Sequence, residues 1–137
     1  MRHIAPVVLG AAYAAAGMSA YDAVSHSFTT VSTGGFSPYQ SSLGHFESAA
    51  IEWIAIVGMF LAGGSFTLYY RALRKDVKPL LVSTEFRVYV LIVLGTTLWC
   101  FVTSGTGDGT SAGFRDSLFT MTSTITTTGY VTSEYGL

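Results

Sequence analysis

Two threonine- and glycine-rich stretches recur 94 positions apart, Thr29-Thr30-Val31-Ser32-Thr33-Gly34-Gly35-Phe36 and Ser123-Thr124-Ile125-Thr126-Thr127-Thr128-Gly129-Tyr130. Each follows a short apolar segment that opens with an aspartate, and one ungapped offset pairs Asp22 with Asp116, Thr30 with Thr124, Thr33 with Thr127, Gly35 with Gly129 and Phe36 with Tyr130. Rows of β-branched threonines disfavour helix, and a terminal glycine lets the backbone turn tightly or expose its carbonyls. Both stretches are therefore expected to be extended. In a membrane such irregular backbone survives only where protein buries it or where it lines a water-filled path. A duplicated pore lining is the reading that follows.

Composition supports the membrane setting. Half of the 137 residues are hydrophobic and only 11% are charged, well below the ~25% of soluble domains. The uncharged stretches Ile4 to Tyr21, Ile54 to Tyr70, extended outward through Trp53 and Ala49, and Val88 to Gly107 are read as three membrane spans. A signal peptide is disfavoured for the first, because Met18-Ser19-Ala20-Tyr21 runs directly into the first repeat. A net charge of −1 offers nothing to nucleic acid, so none is expected as a partner. Arg71, Arg74, Lys75, Lys78 and Arg87 cluster between the second and third spans, and Arg2 precedes the first. By the positive-inside rule these face the cytoplasm, so the threonine-glycine stretches face outward. Asp22, Glu47, Asp108, Asp116 and Glu134 lie on that outer side. Trp53 and Trp99 near the outer ends, with Tyr69, Tyr70 and Tyr89 near the inner ends, match aromatic belts. The single cysteine, Cys100, is assigned to packing.

The segments Ala23 to Thr29 and Ser117 to Ser123 are too short to span: eight to ten helical residues reach about 12 to 15 Å, half of the ~30 Å hydrocarbon core. They are read as re-entrant helices with Asp22 and Asp116 as N-caps. Their C-terminal ends, partially negative, would then point at the membrane centre and favour a cation there. The expected fold class is an all-α membrane protein, with transmembrane helices, two re-entrant pore helices and two extended filter loops. It divides into a first unit over residues 1–73, a basic linker over 74–87 and a second unit over 88–137. A dehydrated cation in hydrocarbon carries a penalty of order tens of kcal/mol. Main-chain carbonyls replace its water without holding it too tightly, and glycine supplies the backbone angles that other residues refuse.

These residues resemble known ones. Thr127-Thr128-Gly129-Tyr130-Val131 looks like the Thr-Val-Gly-Tyr-Gly filter of potassium channels, and Thr33-Gly34-Gly35-Phe36-Ser37 is a looser version. More closely, Asp22-Ala23-Val24-Ser25-His26-Ser27-Phe28 with Thr30 to Ser37, followed by Ile54 to Gly64 and Tyr70-Arg71, is similar to the second pore-loop repeat of the Trk/Ktr/HKT potassium transporters. The second stretch resembles their third pore loop. The resemblance implies four helix-loop-helix repeats around one pore, with Thr33, Gly34, Gly35, Phe36, Thr127, Thr128, Gly129 and Tyr130 as potassium-binding filter residues. It also implies a bacterial inner-membrane location, potassium as the transported ion with sodium left open, and no other metal or cofactor. A cytoplasmic nucleotide-binding regulator of the TrkA type and a homodimeric full-length protein complete the implied partners. Two loops stand here instead of four, and no helix follows Tyr130. A piece of a longer transporter is expected, with a short protein that dimerises to gather four loops as the alternative.

Other residues are read structurally. His26 is expected to be packed and hydrogen-bonded, since its repeat counterpart is Thr120. His45, Glu47 and Glu52 lack metal-ligand spacing, and Glu52 is placed either at the outer interface or in a pair within the bundle. Gly58, Gly63 and Gly64 are assigned to close helix packing. Ser104-Gly105 faintly suggests a nucleophile, but no histidine follows it, so no enzyme activity is expected. A non-conducting membrane scaffold or receptor is the remaining alternative. It should tolerate alanine at Gly35 or Gly129, whereas a filter should not.

Overall fold

The computed structural model describes residues 4–65, 69–70, 83–103 and 111–132. Arg2, Arg71, Arg74, Lys75, Lys78, Ser104, Gly105, Asp108 and Glu134 lie outside the described residues, so orientation by charge remains a sequence argument. Among the described residues five α-helices and one 3-10 turn follow one another: α1 (Ile4–Ala15), α2 (Ala20–Val31), the 3-10 turn (Ser42–Phe46), α3 (Ala49–Gly63), α4 (Thr84–Thr103) and α5 (Ser111–Ile125). No strand occurs among the described residues.

The first apolar stretch does not run to Tyr21 as expected. Gly17 adopts a left-handed φ of 104°, with its N–H on the Ala14 carbonyl and the Met18 N–H on the Tyr13 carbonyl, both at 3.1 Å. This Schellman turn ends α1 at Ala15. The chain turns at once into α2, capped by Ser19, whose hydroxyl accepts the Asp22 N–H at 3.2 Å. The second stretch forms a helix from Ala49, where its outward extension is expected to begin, to Gly63. Among the described helices α4 alone is long and apolar enough to cross a membrane, while α1 and α3 are shorter apolar helices. The twenty residues of α4 reach about 30 Å.

Helices α1, α2 and α3 pack together, α5 leans on α3, and α4 lies along α5. The core joins Tyr13 and Met18 to Ala23, Leu43, Ile51, Ala55, Ile56 and Met59, and takes Phe119 from α5 and Tyr130 from the chain beyond it. Gly58 lets α3 approach this closely: a Cβ there would stand 2.8 Å from Thr30 Cγ2 and 3.0 Å from Leu9 Cδ2. Its role is packing, as expected. By contrast Leu91, Leu98, Trp99 and Val102 of α4 are exposed, a continuous apolar surface that suits hydrocarbon and not water.

Candidate functional site

Both threonine rows begin as helix, contrary to expectation. Helices α2 and α5 end at Val31 and Ile125, equivalent residues at the same offset, so twelve and fifteen residues reach about 18 and 22 Å. Threonine is tolerated here because its hydroxyl bonds a carbonyl one turn back. Thr30 donates to the His26 carbonyl at 2.6 Å and Thr29 to that of Ser25 at 3.1 Å. Thr124 and Thr126 donate to Thr120 and Thr122, each at 2.8 Å.

Past these ends the two loops share one backbone. The Thr33 N–H bonds the Thr30 carbonyl at 3.1 Å and the Gly34 N–H that of Thr29 at 2.8 Å; Thr127 and Thr128 do the same to Thr124 and Ser123 at 3.1 and 2.9 Å. Thr33 and Thr127 occupy the left-handed position of this cap, with φ of 52° and 58°, and Gly35 and Gly129 return to it at 63° and 80°. A left-handed β-branched residue costs roughly 1–3 kcal/mol. Each threonine offsets part of this by donating its hydroxyl to the preceding carbonyl at 2.7 Å. Strain repeated at equivalent positions marks a backbone shape that the fold maintains.

The loops lie side by side. A Cβ on Gly35 would fall 1.8 Å from the Thr128 carbonyl oxygen, so both the left-handed angle and the neighbour demand glycine. Among the described residues the carbonyls of Thr33, Gly34, Gly35, Phe36, Thr127, Thr128 and Gly129 accept no hydrogen bond. The Tyr130 carbonyl, expected among the ion-facing groups, differs: it accepts the Ser123 hydroxyl at 2.9 Å. Its side chain turns inward as well, buried against α2. There the phenol meets the hydroxyls of Thr29 and Thr30 and the His26 carbonyl, at 2.5, 3.1 and 3.2 Å. Tyr13 meets the same Thr30 hydroxyl at 3.1 Å from the other side. The tyrosine thus ties the second loop to the helix of the first. Its equivalent Phe36 is 77% exposed.

The expected caps are corrected. Asp22 is not the N-cap of α2 but lies three residues after it, where its carboxylate accepts the Ser19 hydroxyl at 2.7 Å and the Tyr39 hydroxyl at 3.2 Å. Partial burial, and then the carboxylate it donates to, hold the Tyr39 phenol above its ordinary value. Asp116 lies inside α5 with an exposed side chain, 3.9 Å from Arg115. An earlier helix start removes it from the capping position. Sequence reasoning also left Glu52 undecided; it is buried in α3 and forms an ion pair with Arg115, joining α3 to α5. The 3-10 turn adds a further link, with the Gly44 N–H on the Val131 carbonyl at 3.2 Å.

Comparison with known proteins agrees with this geometry. The profile of TrkH, described as a cation transport protein, matches residues 4–104. The Trk system potassium uptake protein TrkG of Escherichia coli strain K12 is 37% identical over 130 residues, covering 90% of this chain and 26% of that protein. The Trk system potassium uptake protein TrkH of Halomonas elongata is 35% identical over 134 residues, covering 94% and 27%. The crystal structure of the potassium transporter TrkH from Vibrio parahaemolyticus matches with a TM-score of 0.87 and 32% identity, over 94% of this chain and 29% of that one. The chain therefore spans little more than a quarter of the length of these relatives.

Proposed function

The chain belongs to the TrkH family of cation transport proteins, and on that premise we propose that it forms part of the potassium path of a Trk-type uptake transporter. The observation that carries this reading is the pair of adjacent loops with one backbone shape and seven carbonyls unpaired within the described chain. Residues of opposite hand alternate through Thr33-Gly34-Gly35 and Thr127-Thr128-Gly129. Such alternation turns successive peptide groups toward one side, in place of the to-and-fro of a strand. Carbonyls so arranged can stand in for the hydration shell of potassium, favourably enough for entry and weakly enough for exit. The coordinating set is Thr33, Gly34, Gly35, Phe36, Thr127, Thr128 and Gly129 through their main chains, with Tyr130 as a support. Movement of the ion through these carbonyls is passive.

Two loops do not close a ring, and the internal repeat supports further ones. On α5 the face of Arg115, Leu118 and Thr122 is turned to the first unit: Arg115 pairs with Glu52 of α3, Leu118 packs on the core and Thr122 is buried. The equivalent face of α2, Tyr21, Val24 and Phe28, is exposed. A helix like α3, from another pore-loop unit of the full transporter, fits that face, and Phe36 fits that unit's pore helix as Tyr130 fits α2. The division into units over 1–73 and 88–137 with a cytoplasmic linker, the outward orientation in a bacterial inner membrane, the homodimer and the TrkA-type regulator belong to the same reading.

The test is potassium and sodium uptake by the full-length transporter carrying Gly129→Ala. Loss of the potassium-over-sodium preference is the expected result. An unchanged preference would contradict the filter assignment and favour a scaffold.

A further inference from the structure

We propose that His26 is a positioning residue for the first loop, acting through the hydroxyl of Ser37. The inference rests on the ion-path reading above and adds to it a specific brace.

His26 is completely buried in α2. Its Nδ1 lies 2.8 Å from the Asp22 carbonyl, a group that can only accept, so Nδ1 carries the hydrogen. In the neutral ring that leaves Nε2 as an acceptor, 3.1 Å from the Ser37 hydroxyl, which donates to it. The same hydroxyl oxygen accepts the Tyr39 N–H at 3.2 Å. Main chain of the helix, imidazole, hydroxyl and main chain beyond the loop thus form one continuous chain of hydrogen bonds, with each donor directed at a defined acceptor. The ring cannot slide: Phe46, Tyr130 and Tyr13 surround it with centroids at 5.6, 6.1 and 6.4 Å.

The internal repeat explains why the first loop depends on this contact. In the second loop the Ser123 hydroxyl holds the Tyr130 carbonyl at 2.9 Å, and the Thr126 and Thr128 hydroxyls bond each other at 2.8 Å. Among the described residues the first loop has no such ties. Position 34 is glycine, Phe36 is exposed, and its carbonyl accepts nothing among the described residues. Conversely, the counterparts of His26 and Ser37 are Thr120 and Val131, which cannot form an imidazole–hydroxyl bond. Among the described residues, His26–Ser37 is the only side-chain bond from residues 34–37 to α2. A coordinating constellation must be held within roughly 0.5 Å to discriminate, and this bond fixes the exit of the loop that carries Gly35.

The experiment compares Ser37→Ala, Ser37→Thr and Thr97→Val in the full-length transporter, reading potassium and sodium uptake together with thermal stability. Thr97 is the matched control: its buried hydroxyl donates to the Val93 carbonyl at 2.7 Å within α4 and, among the described residues, bonds neither loop. Ser37→Ala is expected to lower the potassium-over-sodium ratio by about five- to tenfold, the equilibrium equivalent of one buried hydrogen bond. Ser37→Thr retains the hydroxyl and should keep the ratio, and Thr97→Val should leave it untouched while melting lower. An unchanged ratio in Ser37→Ala, or an equal fall in Thr97→Val, would overturn the brace. If the unaltered transporter takes up no potassium, the functional reading itself is refuted, a result distinct from either of these.

Discussion

Replacing Gly35 with alanine probes the loops at their point of contact. Two separable effects are expected. The left-handed φ of 63° penalises any Cβ by roughly 1–2 kcal/mol. The added methyl would also sit 1.8 Å from the Thr128 carbonyl oxygen and 2.8 Å from its carbon. The oxygen must retreat by at least 1.2 Å before the contact reaches even 3.0 Å, and as main chain it cannot rotate aside like a long side chain. Overpacking of this kind adds about 1–3 kcal/mol. Gly17→Ala separates the two effects, because Gly17 has a φ of 104° and open space around it. Both variants should melt lower, but only Gly35→Ala should disturb ion preference. Since a displacement near 1 Å in a positioned site costs on the order of a hundredfold, its potassium-over-sodium ratio should fall by roughly ten- to a hundredfold. The assay is uptake of both ions by proteoliposomes of the full-length transporter, with melting followed in the same preparations. A Gly35→Ala variant with normal preference, or a Gly17→Ala variant equally impaired in it, would refute the reasoning.

Three further outcomes follow from the packing around the loops. Glu52→Gln strands the Arg115 charge and should lower stability by about 3 kcal/mol, while Glu52→Met with Arg115→Met should recover most of that loss; denaturation of the three proteins side by side checks both. Ser19→Ala removes the cap of α2 and should cost about 1 kcal/mol, whereas Asp116→Ala, exposed and uncapping, should stay within about 0.5 kcal/mol in the same melting assay. Gly58→Ala forces Thr30 and Leu9 aside and should destabilise by about 1–3 kcal/mol, measurable as a lowered midpoint.

The repeat was legible because its offset is carried by residues whose backbone demands differ from their surroundings. Gly35 and Gly129 fall at equivalent left-handed positions, and both loops follow equivalent helix ends. The all-helical class followed from the apolar stretches of spanning length and the short segments before each loop. Helix ends were less legible, since β-branching argued against helix at Thr29 to Val31 and at Thr124 to Ile125, and the back-bonded hydroxyls that override it depend on rotamers. Ser19, three before Asp22, carried a readable capping pattern, and Gly17 a readable stop; both were obscured by treating the apolar run as one span. The Glu52–Arg115 pair and the inward turn of Tyr130 join residues far apart in the chain, and neither has a local pattern. The resemblance places the Tyr130 carbonyl among the ion-facing groups, and the hydroxyl of Ser123, seven residues earlier, donates to it.

The central claim is that main-chain oxygens of the two loops hold a dehydrated alkali ion. It is tested most directly by anomalous diffraction from crystals of the full-length transporter grown with rubidium in place of potassium. The account predicts an anomalous peak in direct contact with carbonyl oxygens from both Thr33–Phe36 and Thr127–Gly129. Rubidium bound elsewhere along the path, with these carbonyls turned away from it, would contradict the account.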